Sequence, residues 1–129
     1  MHIAYIRIVP QPAQPDPESL LPLPSATFHI LMALAAEDHH GYAIIQEVSR
    51  RTNNRLKLGA GTLYRSLQRM LEQGLIIETG ERPDPERDDE RRRYYRITRY
   101  GESVARAEAR RLTELVKLAR ASGFAGGRA

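Results

Sequence analysis

Apolar residues recur along this chain first with helical spacing, then with strand spacing, then with helical spacing again. The run SATFHILMALAAED puts Phe28, Leu31, Met32 and Ala35 on one helical face, with Ser25 after Pro24 as its expected N-cap. Asp38-His39-His40-Gly41 ends that helix. A second begins near Tyr42, with Tyr42, Ile45 and Val48 or Ser49 at helical spacing, and closes at Thr52-Asn53-Asn54. In LGAGTLYRSLQRM, Leu63, Leu67, Met70 and Leu71 form a third stripe, opened by Gly59 as N-cap and closed by Gly74.

The period then changes. LIIET is a short β-rich run with Leu75 and Ile77 on one side. RRYYRIT alternates, placing Tyr95 and Ile97 opposite Tyr94 and Arg96. Gly80, Pro83 and Pro85 lie between them and predict a hairpin loop over residues 80–91. Thr98 then caps a long helix to about Ala121, whose stripe is Val104, Ala105, Leu112, Leu115, Val116 and Ala119. The expected fold is mainly α with a small β-wing, a winged helix-turn-helix with a long C-terminal helix. Its divisions are a proline-rich irregular arm (1–24), the winged domain (25–97), the terminal helix (98–121) and a glycine-rich tail (122–129).

Composition narrows the function. The 129 residues hold one modest core, and no apolar run approaches the roughly 18 residues of a membrane span. The N-terminus lacks a signal-peptide pattern. Cysteine is absent, which excludes disulfides, zinc ribbons and thiol nucleophiles and fits a cytoplasmic protein. The net charge is +4 and the cations are clustered. From Ser49 to Leu71 there is no acid, while Arg50, Arg51, Arg55, Lys57, Arg65 and Arg69 supply six positive charges. A second acid-free run, Arg91 to Gly101, holds Arg91, Arg92, Arg93, Arg96 and Arg99. Solvated faces are the ordinary fate of such runs, but each block here sits at a defined structural position.

The paired glycines of LGAGTLYRSLQRM first suggest a phosphate loop. No lysine follows Gly61, which excludes a Walker loop, and Tyr64 stands where a dinucleotide fingerprint needs its third glycine. A recognition helix fits better. Gly61 in its first turn leaves the backbone N–H groups open to an anion. With the leucines inward, Thr62, Tyr64, Arg65, Ser66, Gln68 and Arg69 face out. Arg and Gln read base edges, whereas Ser, Thr and Tyr commonly bind phosphate. An ordinary amphipathic helix is the bland alternative; the lack of acids before Glu72 argues against it.

Arg91, Arg92 and Arg93 on the returning wing strand are expected on the flanking DNA backbone or in the minor groove, with Asp88, Asp89 and Glu90 as competing local partners. The terminal helix has few partners in its own chain. Val104, Leu112, Leu115, Val116 and Ala119 are therefore expected to pair with a second copy, giving a homodimer that matches a palindromic site, with packing back on the first helix as the alternative for part of the stripe. His39-His40 reads as a helix-ending turn rather than a metal site, and His29 as a packing residue. No catalytic set is visible, so neither an enzyme nor a cofactor is expected. A winged-helix module that binds an acidic protein is the alternative function.

The segment HGYAIIQEVSRRTNNRLKLGAGTLYRSLQRMLEQGLI, followed by DERRRYYRITRYG, resembles the PadR family of transcriptional regulators. The combination of His40-Gly41-Tyr42, Gly61-Thr62-Leu63-Tyr64 with Leu67, and Arg93-Tyr94-Tyr95 with Thr98 and Gly101 carries the resemblance, from about Leu21 to Ala121. It implies a dimeric winged helix-turn-helix of the shorter, single-terminal-helix type, usually a repressor of double-stranded DNA targets. It places Thr62, Tyr64, Arg65 and Arg69 on the recognition helix and Arg91 to Arg93 on the wing. It also implies release from DNA by a small-molecule effector, frequently aromatic.

Overall fold

A computed structural model of the chain describes residues 13–80 and 93–124. A 3-10 turn at Pro17–Leu20 leads to helix α1 (Ser25–Ala36), strand β1 (His39–His40), helices α2 (Gly41–Arg51) and α3 (Ala60–Gln73), strands β2 (Ile76–Thr79) and β3 (Tyr94–Ile97), and helix α4 (Arg99–Ala121). The sheet is antiparallel in the order β1-β3-β2, with Glu78 opposite Tyr95 and His40 opposite Tyr94. No described helix is long and apolar enough to cross a membrane.

Helix α1 is the hub, packing on α2, α3, α4 and β3. Its buried residues are Thr27, Ile30, Leu31, Ala33 and Leu34. The expected face differs: only Leu31 of that set is buried, Phe28 and Met32 are half-buried, and Ala35 is exposed. A helix apolar nearly all round leaves periodicity no face to select. Pro24, not Ser25, occupies the N-cap and makes no side-chain cap. In α2 the buried positions are Gly41, Ile44 and Val48, so the face is rotated from Tyr42 and Ile45, and Tyr42 is 60% exposed.

Helix α3 matches its pattern. Leu63, Leu67 and Met70 are buried, Leu71 is half-buried, and Gly59 is the N-cap. Gly74 adopts a left-handed φ of 79°, letting its N–H reach the Leu71 carbonyl at 3.1 Å. In the sheet the expected alternation fails. Leu75 and Ile76 are both buried and Ile77 is exposed, while Tyr94 and Tyr95 are both buried. Leu75 belongs to the turn before β2, and β3 is the middle strand, covered on both faces.

Strand β1 lies where only a turn was expected. Two residues are too few to show a period, and pairing with β3 makes them a strand. His40 then caps α2, its Nδ1 accepting from the Ala43 N–H at 3.2 Å, and its ring meets Tyr94 edge-on at 5.3 Å. Arg96 clamps the sheet to the preceding turn through Asp38, at 2.9 Å.

Thr98 binds the wing, α3 and α4 together. Its hydroxyl donates to the Gly74 carbonyl at 2.7 Å and accepts from the Gly101 N–H at 2.9 Å, capping α4. Gly101 is required there, because a Cβ would run into the Leu75 carbonyl.

Within the segment expected as an irregular arm, residues 13–24 are held against α4. Leu23 lies in the core, and its N–H donates to Glu108 at 3.1 Å. Tyr100 donates its hydroxyl to the Pro15 carbonyl at 2.7 Å. Glu108, 2% exposed, is held by Arg111 at 2.6 Å. Arg111, and secondarily the Leu23 N–H, keep its carboxyl below the usual carboxylate range against the opposing cost of burial.

Candidate nucleic-acid interface

Helix α3 presents a cationic face because its core contacts bury the opposite, apolar face. With Leu63, Leu67 and Met70 inward, Gly61, Thr62, Tyr64, Arg65, Gln68 and Arg69 are exposed and Ser66 is half-buried. The structure therefore brings together on one outward surface all seven residues expected on the recognition helix. A Cβ at Gly61 would meet only Arg65 Nη1 at 3.4 Å, so nothing in the chain crowds the first turn. Gln68 donates to Glu72 at 3.3 Å, an exposed contact along the same helix.

The electrostatics divide the first basic block in two. Glu47, just outside it, accepts from Arg50 at 2.6 Å and from Arg51 at 2.7 Å. These two guanidinium groups pull the Glu47 carboxyl down to about 2. Arg65 and Arg69 have no carboxylate partner among the described residues, and neither do Arg55 and Lys57. Pairing thus withdraws the cations of α2 and leaves those of α3 available to a polyanion.

The wing stem is more guarded. Arg93 is exposed and contacts Glu78 across the β2–β3 ladder at 3.2 Å. Exposed pairs of this kind are weak, so a phosphate can compete for the guanidinium. Arg91 and Arg92 lie outside the described residues. A groove of about 480 Å³ separates α3 from the wing, lined by Tyr42, Tyr64, Gln68, Glu78, Arg93 and Tyr95 among others. Burial, then the Glu78 charge, pushes the Tyr95 hydroxyl up from its ordinary value.

The residues expected at a dimer contact separate. Val104 is fully buried in its own chain, packed in the same core as α1. Leu115 and Val116 are exposed, Leu112 and Ala119 half-buried, and Leu118, absent from the expected set, is 63% exposed. Gly41 and Tyr42 of α2 line the groove beside α3, a position that hydrophobic spacing does not predict. The His40-Gly41-Tyr42 triplet was the available signal, but hydrophobic spacing put Tyr42 in the core.

The family model for the transcriptional regulator PadR-like family matches residues 30–107. A relative from Lysinibacillus sphaericus, described as an uncharacterized protein, is 40% identical over 90 residues, 68% of this chain and 72% of the relative. A transcriptional regulator from Clostridium thermocellum shares the fold with a TM-score of 0.64 at 24% identity, over 74% of this chain and 86% of the other. A PadR family transcription regulator from Clostridium difficile aligns with a TM-score of 0.63 at 24% identity, over 75% of this chain and 96% of that one. The wing, the three packed helices and the terminal helix are therefore a shared architecture. The chain belongs to the PadR-like family of transcriptional regulators, and it is a DNA-binding regulator rather than an enzyme.

Proposed function

We propose that the protein is a dimeric repressor that reads a palindromic operator with one α3 per half-site in the major groove. The supporting observation is the outward face of α3, where Arg65 and Arg69 stand exposed with no acid paired to them among the described residues. On this reading Arg65, Gln68 and Arg69 reach base edges, while Thr62, Tyr64, Ser66 and the first-turn N–H groups beside Gly61 hold phosphates. Arg93, with Arg91 and Arg92, contacts the flanking backbone from the wing stem.

The dimer of this reading is formed by the second half of α4, where Leu115, Val116 and Leu118 have no cover among the described residues. Palindromy follows from two-fold symmetry. Family resemblance supplies the effector, and the groove beside α3 is of a size that holds a small molecule.

The test is selection of genomic fragments by the purified protein, followed by salt titration on the selected duplex. Arg65→Ala or Arg69→Ala is expected to weaken operator binding by about 1–3 kcal/mol where the arginine reads a base. If it binds phosphate instead, the log K against log salt slope becomes shallower by about 1 per site. Unaltered affinity and slope in both variants would show that α3 is not the reading element.

A further inference from the structure

Gly41 opens α2 where the Tyr64 ring end leaves no room for a side chain. A Cβ placed there would collide with the Tyr64 hydroxyl, stand 3.0 Å from Tyr64 Cζ and 3.2 Å from Leu63 Cδ2. The glycine is not among the left-handed residues of the chain. Space rather than conformation therefore favours it, since a side chain here displaces the end of the Tyr64 ring, although glycine is a poorer helix former than alanine.

Tyr64 is 52% exposed, yet the end of its ring rests on the α2 backbone. It is thus an outward residue of α3 that is also seated against the neighbouring helix. Leu63, Leu67 and Met70 fix how deeply α3 sits. A seat off that stripe resists rotation of α3 about its own axis, and Arg65, Gln68 and Arg69 inherit that rotation. A turn of about 10° moves an arginine head, roughly 8 Å off the axis, by about 1.4 Å. That displacement spoils a bidentate contact to a base edge while long cationic side chains still reach phosphates.

We propose that Gly41 and Tyr64 form a positioning pair for base recognition, with Gly41 as the seat that sets the angle of α3. The inference rests on α3 being the recognition helix. It makes the Tyr64 ring a strut for sequence reading, in addition to any phosphate contact by its hydroxyl.

The experiment measures affinity for the selected operator and for a random duplex in wild type, Gly41→Ala, Tyr64→Ala and the double variant. Gly41→Ala is expected to lose about tenfold or more on the operator and to keep its random-duplex affinity and salt slope. In the Tyr64→Ala background the same change should cost nothing on the operator, and the melting temperature should rise because alanine favours the helix. A Gly41→Ala protein that binds like wild type, or that loses as much in both backgrounds, overturns the proposal. If Gly41→Ala alone does not fold, a double variant that folds and binds like Tyr64→Ala supports it, and a double variant that also fails to fold overturns it. A wild-type chain that selects no duplex removes the recognition-helix reading and this proposal with it. Operator binding indifferent to Gly41→Ala removes the proposal alone.

Discussion

Helices α3 and α4 are both amphipathic, but only α3 buries nearly all of its apolar stripe inside the chain. Leu63, Leu67 and Met70 of α3 vanish into the core and leave a polar face whose cations have no carboxylate partner among the described residues. Helix α4 buries Val104 and Ala107 and then runs on with Leu115, Val116 and Leu118 in the open. Length explains the difference. Helix α1 has 12 residues, about 18 Å, whereas α4 has 23, about 35 Å, so α1 can cover only half of it. What each helix leaves exposed then suggests its partner. Cations without acids suit a polyanion, and leucines without cover suit another protein surface.

The comparison breaks most visibly at Leu115. Leu115→Glu is expected to yield a monomer by light scattering and to lower operator affinity by about 100-fold, because two half-sites are no longer held at once. A wild-type chain that is already monomeric at micromolar concentration would remove the assigned role of the second half of α4.

The first half of α4 should respond in the opposite way. Glu108→Ala takes the carboxylate from the Leu23 N–H and from Arg111, leaving a buried donor unpaired. A loss of about 2 kcal/mol is expected, seen as a lower thermal midpoint with the oligomeric state unchanged. Dissociation without loss of protomer stability would place the dimer contact in the wrong half of the helix.

The smallest effect separates the paired cations of α2 from the bare ones of α3. The Glu47 carboxyl titrates at about 2 in the folded chain against 4.5 for an unperturbed one. A depressed carboxylate contributes stability that is complete above the unfolded value and is lost as pH falls toward the folded one. Wild type should therefore lose slightly more thermal stability than Glu47→Gln between pH 4.5 and about 2, by about 2 °C, because these guanidinium groups are well solvated. Identical pH profiles would show that the pair is unimportant to folding.

Legibility in the sequence followed from how many partners an element has. Helix α3 has one buried face and one open face, so its leucine spacing predicted burial residue by residue. Helix α1 packs on several elements, so its nearly continuous apolar run concealed which face each neighbour takes. Tyr94 and Tyr95 were assigned to opposite faces, and both are buried because the middle strand has cover on each. The candidate DNA surface was legible because charge without acids survives any rotation that keeps the leucines inward. Glu47 stands next to the basic block in sequence, but its selective pairing with Arg50 and Arg51 required side-chain geometry.

The sequence by itself determined the four helices and the two wing strands, the outward face of α3, the Thr98 cap and the left-handed closure at Gly74. These depend on local spacing and on backbone chemistry within a few residues. Only the tertiary structure decided that His39–His40 is a strand, that Leu23 and Glu108 tie residues 13–24 to α4, and that Val104 belongs to the chain's own core. It also decided why LGAGTLYRSLQRM needs a glycine 23 positions before Tyr64. Each of these is a contact between residues far apart in the chain, set by packing density and hydrogen-bond satisfaction that no periodicity records.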